Sequence, residues 1–123
     1  MERKEFEQLV SEAVHDLPGE FSDRLENTVI VVQDWPSVEQ LHKAGIGPHQ
    51  TLLGLYEGVP LTRRGQGYGM VPPDVITIFQ KPVELKCVHD NARITEEIAR
   101  VVKHEIAHHF GISDKRLKEL NGY

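Results

Sequence analysis

The stretch His104-Glu105-Ile106-Ala107-His108-His109-Phe110-Gly111-Ile112-Ser113-Asp114 decides how the rest of the chain is read. On a helix, at about 100° per residue, His104 and His108 project about 40° apart and lie one turn apart along the axis. Both imidazoles then point at one metal ion about 2 Å from each nitrogen. Glu105 projects about 60° from His108, near enough to address that ion's water without displacing it. His109 projects about 100° from His108, outside ligand geometry, and reads as buried packing or as a hydrogen-bond partner of a ligand. Asp114, brought back by a turn at Gly111, is either an oxygen ligand or the N-cap of a short last helix over Asp114 to Leu120.

Working outward, Ile94, Ile98, Val101 and Val102 form the inward stripe of a helix predicted over about Ala92 to Phe110. Thr95 or Asn91 is expected to cap its start and Gly111 to stop it. Glu105 falls angularly between Val101 and Ile98. A carboxylate within an apolar stripe is costly unless something pairs with it. The two histidines beside it make a metal ion and its water the expected partner. Glu96, Arg100 and Lys103 take the solvent side.

Further upstream, Phe6, Leu9, Val10, Ala13, Val14 and Leu17 recur at helical spacing until Pro18-Gly19 ends the pattern. A helical turn follows over Phe21 to Glu26. The β-branched run Thr28-Val29-Ile30-Val31-Val32 suits a strand buried on both faces. A helical turn at Val38 to Leu41 is ended by Gly45, Gly47 and Pro48. Thr51 to Tyr56 reads as a second strand and Asp74 to Phe79 as a third. Between them lies a Gly- and Pro-rich loop, Gly58 to Pro73. A plain connection runs from Lys81 to Asn91. The order helix, three strands, helix, helix is α+β, a small three-stranded sheet covered by the N-terminal and motif helices.

Composition narrows the function. The 123 residues fit one domain, residues 1–123, too small for a deep cleft between lobes. A net charge of −5 argues against a nucleic-acid partner, with Arg63-Arg64 as the one basic pair in the middle of the chain. Cys87 is the single cysteine, so no intramolecular disulfide forms and a buried apolar role is expected. The charged start Met1 to Glu5 runs straight into the first helix, and no apolar run approaches membrane-spanning length, so the chain reads as cytoplasmic with no membrane partner. His15, His42, His49 and His89 lack a partner at ligand spacing and read as surface. Tyr56, Tyr68 and Tyr123 are the tyrosines available as oxyanion donors, but each taken alone reads as packing. Gly65-Gln66-Gly67-Tyr68-Gly69 fits neither a dinucleotide fingerprint nor a P-loop and reads as a mobile loop.

Residues 104–114, HEIAHHFGISD, match H-E-x-x-H-x-x-G-x-x-D, and the chain resembles the small bacterial zincin-like metallopeptidases of the Asp-zincin type. Leu55-Tyr56-Glu57-Gly58 and Asp74-Val75-Ile76-Thr77-Ile78-Phe79 resemble that family as well. The resemblance implies one Zn2+ per chain held by His104, His108 and Asp114, with Glu105 as general base. It implies a minimal zincin-like fold and a peptide or protein substrate. Zincin analogy also puts Thr51 to Tyr56 at a sheet edge that holds the substrate, with Asp74 to Phe79 inside. The chain departs from metzincins, which place a histidine where Asp114 stands and a methionine turn downstream, because no Met follows Met70.

The leading reading is thus a zinc-dependent peptidase-like hydrolase. Larger zincins close the cleft's lower wall with a C-terminal subdomain, whereas only Phe110 to Tyr123 follows His109 here. The second reading is accordingly a metal-binding interaction module, non-catalytic or with its cleft completed by a partner protein. A metal-dependent ribonuclease ranks third: the related RNA-processing pattern H-x-x-x-H-x-x-G lacks the glutamate, and this chain is acidic.

Overall fold

A computed structural model describes residues 1–46, 51–58 and 73–111. The first helix, α1 (Arg3–His15), buries the stripe Phe6, Val10 and Ala13, with Leu17 just beyond its end. Each of the larger side chains gains about 1.5–3 kcal/mol from leaving water. Pro18 stops the pattern, and its carbonyl accepts from the Phe21 and Ser22 N–H groups to start α2 (Gly19–Ser22). A 3-10 turn, Asp23–Leu25, follows, and Phe21 is fully buried.

The described strands form one sheet of order β1-β3-β2. β1 (Thr28–Gln33) and β3 (Asp74–Phe79) run parallel, from Thr28 opposite Asp74 to Gln33 opposite Phe79. β2 (Gly54–Glu57) lies antiparallel on the other side of β3, with Tyr56 opposite Ile76. The strand from Asp74 to Phe79 is therefore inside, as expected, and Ile76, Ile78 and Phe79 have no exposure. Between β1 and β2, α3 (Val38–Lys43) is fixed by a capping box. Ser37 Oγ accepts from the Gln40 N–H, and Gln40 Oε1 accepts from the Ser37 N–H.

β1 departs from the sequence reading. It is buried on one face only: Ile30 and Val32 pack on the core, while Val29 and Val31 stand about two-fifths exposed, at 42% and 41%. β-branched residues suit the pleated backbone itself, so a Val/Ile run does not require two covered faces. β2 begins at Gly54 rather than Thr51, although the Leu53 carbonyl still accepts from the Phe79 N–H. A Cβ on Gly54 would lie 2.5 Å from Val101 Cγ1, so glycine is what lets this strand rest directly on the motif helix.

The stretch read as a connection holds a helix, α4 (Gln80–Lys86). Pro82 looks like a breaker in sequence, but in the first helical turn its missing N–H has no bond to lose. α4 buries Val83, and Cys87 follows it into the core as expected. Glu84, 1% exposed, accepts from the Met1 amino group at 3.1 Å, which ties α4 to the start of α1.

Left-handed Val88 and His89 turn the chain toward α5 (Asn91–Phe110). The cap of α5 is Asp90, whose Oδ1 accepts from the Arg93 N–H; Thr95 instead donates to the Asn91 carbonyl inside the helix. Ile94, Ile98, Val101, Val102, Ile106 and Ala107 are buried against α1 and the sheet. Gly111, at φ +71°, ends α5 where the sequence places the stop. Among the described residues no helix is long and apolar enough to cross a membrane. The expected last helix, Asp114 to Leu120, and the Gly58 to Pro73 loop beyond its first and last residues lie outside the described residues.

Candidate metal centre

The last two turns of α5 carry the motif, and the helix does what its spacing dictates. The rings of His104 and His108 lie with centroids 5.0 Å apart and planes tilted by 44°. Two imidazoles held through nitrogens about 2.0–2.1 Å from one tetrahedral ion have centroids about 5 Å apart, so this pair fits such an ion. Nitrogen donors also suit zinc chemically. Asp114 lies outside the described residues, as do Tyr68, Tyr123, His49 and Arg63-Arg64. Among the described residues no group of three His, Cys, Asp or Glu side chains converges.

Glu105 occupies the position between buried stripe and open cleft that its projection gives it. Glu105 Oε1 accepts a hydrogen bond from the backbone N–H of Tyr56 at 3.0 Å, a protein partner that the sequence does not indicate. Burial pushes the Glu105 carboxyl above the usual carboxylate range; the Tyr56 N–H and the His108 charge pull it part of the way back. The donor comes from β2. Leu53 O accepts from the Phe79 N–H, so alternation turns the backbone groups of Leu55 toward β3 and those of Tyr56 away from it.

Tyr56 is also the centre of an aromatic group. Its ring stacks on His109, centroids 4.0 Å apart and planes within 15°, and Phe110 meets both edge-on. Arg24 lies 5.6 Å from the centroid of the Phe110 ring. The Tyr56 hydroxyl donates to Asp74 Oδ2 at 2.7 Å, and Asp74 is 5% exposed. His109 is thus solvent-facing yet packed, rather than buried. His15, His42 and His89 are exposed, as expected.

A cleft of about 400 Å³ opens beside Glu105, His108 and His109, walled by Lys43 and Ala44 at the end of α3 and by Leu52 and Leu55. Lys43 Nζ donates to Glu57 Oε2 at 2.9 Å across its rim. That contact raises the Lys43 pKa above its ordinary value. A groove of the same volume between α1 and β1, lined by Val10, Val14, Ile30 and Val32, carries no comparable cluster of titratable groups.

The sequence singled out the motif but not the roles of Tyr56, Asp74 and His109. The sequence offered Tyr56 only as one of three tyrosines and His109 as packing or a hydrogen-bond partner of a ligand, while Asp74 entered only within a strand that carries the family resemblance.

Comparison with known families now agrees with fold and motif. The profile of the zincin-like metallopeptidase family matches residues 25–123, from the 3-10 turn through the motif to the end of the sequence. The chain belongs to that family. The search of curated proteins finds no match to it.

Proposed function

We propose that the chain is a zinc-dependent peptidase-like hydrolase, with His104, His108 and Asp114 holding one zinc and Glu105 acting as general base. One observation carries this reading: the His104 and His108 rings lie 5.0 Å apart on one helix, and His108 lines a cleft together with the half-buried Glu105. When bound, zinc supplies a Lewis acid and a water acidified toward neutral pH. His104 and His108 present neutral ring nitrogens, and Asp114 adds an anionic oxygen. Glu105 keeps Oε1 on the Tyr56 N–H, which leaves Oε2 to take the attacking water's proton and later return it to the leaving amine. A peptide adds along the free side of β2, as an extra strand. Because Tyr56 N–H is committed to Glu105, that strand aligns on the backbone groups flanking it.

The test has two arms. Protein purified without chelator carries about one zinc per chain, and His104→Ala, His108→Ala and Asp114→Asn each raise its dissociation constant by orders of magnitude. Asn caps a helix nearly as well as Asp, so wild-type affinity in Asp114→Asn removes Asp114 from the ligand set. In the second arm an unstructured protein is the substrate. Turnover that survives Glu105→Gln, or zinc lost in that variant as completely as in His104→Ala, overturns the assigned role of Glu105. Zinc binding without turnover in the wild type selects the interaction-module reading instead.

A further inference from the structure

Tyr56 meets the motif helix twice, once through its backbone and once through its ring. The backbone N–H holds Glu105 at 3.0 Å, and the ring stacks on His109 at 4.0 Å. The ring is itself anchored, because its hydroxyl donates to the buried Asp74 at 2.7 Å. Thr28 Oγ1 lies 3.4 Å from the same phenol oxygen. The phenol has one proton and gives it to the carboxylate, so the threonine is the donor in that contact. Gly58 lies against the stacked histidine: a Cβ there would lie 2.9 Å from His109 Cε1 and 3.7 Å from Asp74 Oδ1. No larger residue fits at position 58 without moving the imidazole.

The location of these contacts gives them a consequence for the centre. α5 ends at Phe110, so His108 and His109 sit in its final turn. Final turns fray, since their last carbonyls have no helical partner. A ligand there needs an outside support if its ring is to stay on its neighbour's ion. His109 follows His108 directly, and a stacked, anchored ring at 109 fixes the direction in which that turn points.

We propose that Tyr56, anchored by Asp74, is a positioning residue: its backbone holds Glu105, and its ring, through His109, holds the turn of α5 that carries His108. The proposal rests on the zinc-hydrolase reading above. It also takes Tyr56 out of the oxyanion donors, because its hydroxyl proton is already given to Asp74.

Four variants of the full chain test it: His109→Ala, His109→Phe, Tyr56→Leu and Tyr56→Phe. Each is examined by amide hydrogen exchange without metal, by the visible spectrum of the cobalt-loaded protein, and by zinc affinity in competition with a chelator. Removing the stack in His109→Ala or Tyr56→Leu should speed exchange over residues 104–110 by about tenfold and leave residues 94–101 unchanged. The cobalt bands should shift and the zinc dissociation constant rise by about 10- to 100-fold. His109→Phe restores a stacked ring and should recover the wild-type bands and most of the affinity, whereas Tyr56→Phe keeps the ring without its bond to Asp74 and should fall between wild type and Tyr56→Leu. Simple packing would not move the cobalt spectrum.

Should Tyr56→Leu fail to fold, His109→Ala still decides, because it leaves the Tyr56 bonds to Asp74 and Glu105 in place. Wild-type exchange and cobalt bands in His109→Ala overturn the positioning role alone. A wild-type chain that binds neither metal overturns the zinc reading, and this proposal with it.

Discussion

Two glutamates on α5 lie two turns apart and live in opposite electrostatic worlds. Glu97, in the first half, receives the Lys86 ammonium at 3.0 Å and the Arg100 guanidinium through Nε at 2.7 Å. Burial pushes its carboxyl up, but those hydrogen bonds and charges more than offset this, and Glu97 ends below the usual carboxylate range. Glu105, in the last half, receives one backbone N–H, and burial leaves it above that range. The same residue type on one helix is thus held below the usual carboxylate range in one place and above it in the other. The difference lies in the donors: cations lock a charge, whereas one neutral dipole orients a carboxylate and leaves it basic.

The largest expected effect tests that contrast directly. Glu105→Gln keeps the shape and the Tyr56 contact through its carbonyl but removes the base, so hydrolysis should fall by about 10²–10⁴-fold with zinc retained. Glu97→Gln should leave hydrolysis within about twofold, because its contacts end on Lys86 and Arg100, away from the cleft. Rates on one unstructured protein substrate, with zinc content measured alongside, give both numbers. Equal losses in the two variants would mean that the contrast has no bearing on chemistry.

The next effect reaches Glu105 through its partner. Gly54→Ala places a Cβ 2.5 Å from Val101 Cγ1 and 3.3 Å from the Thr77 carbonyl oxygen. Val101 is β-branched on a helix and cannot rotate away. β2 must therefore lift from α5, at a cost of about 1–3 kcal/mol. The Tyr56 N–H should move off Glu105 with it. On the opposite edge of the described sheet, Val31→Thr changes a 41% exposed side chain and should stay within about 0.5 kcal/mol. Thermal melts compare the two, and a silent Gly54→Ala would show that β2 does not rest on α5 as closely as this packing has it.

How much of this was legible in the sequence follows from what kind of group makes each contact. The motif helix, its stop at Gly111 and the strand Asp74 to Phe79 were readable because periodicity and a left-handed glycine are local properties. The pairing of His104 with His108 was readable for the same reason, as helical geometry alone sets it. α4 was read as a plain connection from Lys81, although Pro82 in the first turn of a helix is no break. β1 was given two buried faces because its β-branched composition records backbone preference, not what covers each side. The partner of Glu105 was out of reach in principle: every residue but proline has a backbone N–H, so no side chain announces the one that will be used. Tyr56 and Asp74 meet only because β2 and β3 pair antiparallel, and the sequence between them does not encode that register visibly.

The smallest effect returns to Glu97 and gives the contrast a pH signature. Its folded pKa lies below the ordinary value for an unfolded glutamate, about 4.3. Between those two pKa values the unfolded chain binds the extra proton, so stability from this group rises with pH there. The contribution is present above the unfolded value and is lost as pH falls through the folded one. Glu97 is 12% exposed and its two cations are about half and one-third exposed, so the ion pair is worth about 1 kcal/mol or less. Wild type should therefore exceed Glu97→Gln in stability by that small margin at pH 7, with the gap closing below about pH 4. Salt should narrow the gap at pH 7, because charges this near the surface are partly screened. Chemical denaturation of both proteins at pH 7, 5 and 3, with and without added salt, measures it. A gap that persists at pH 3 would mean that Glu97 acts there through its packing and not through its charge.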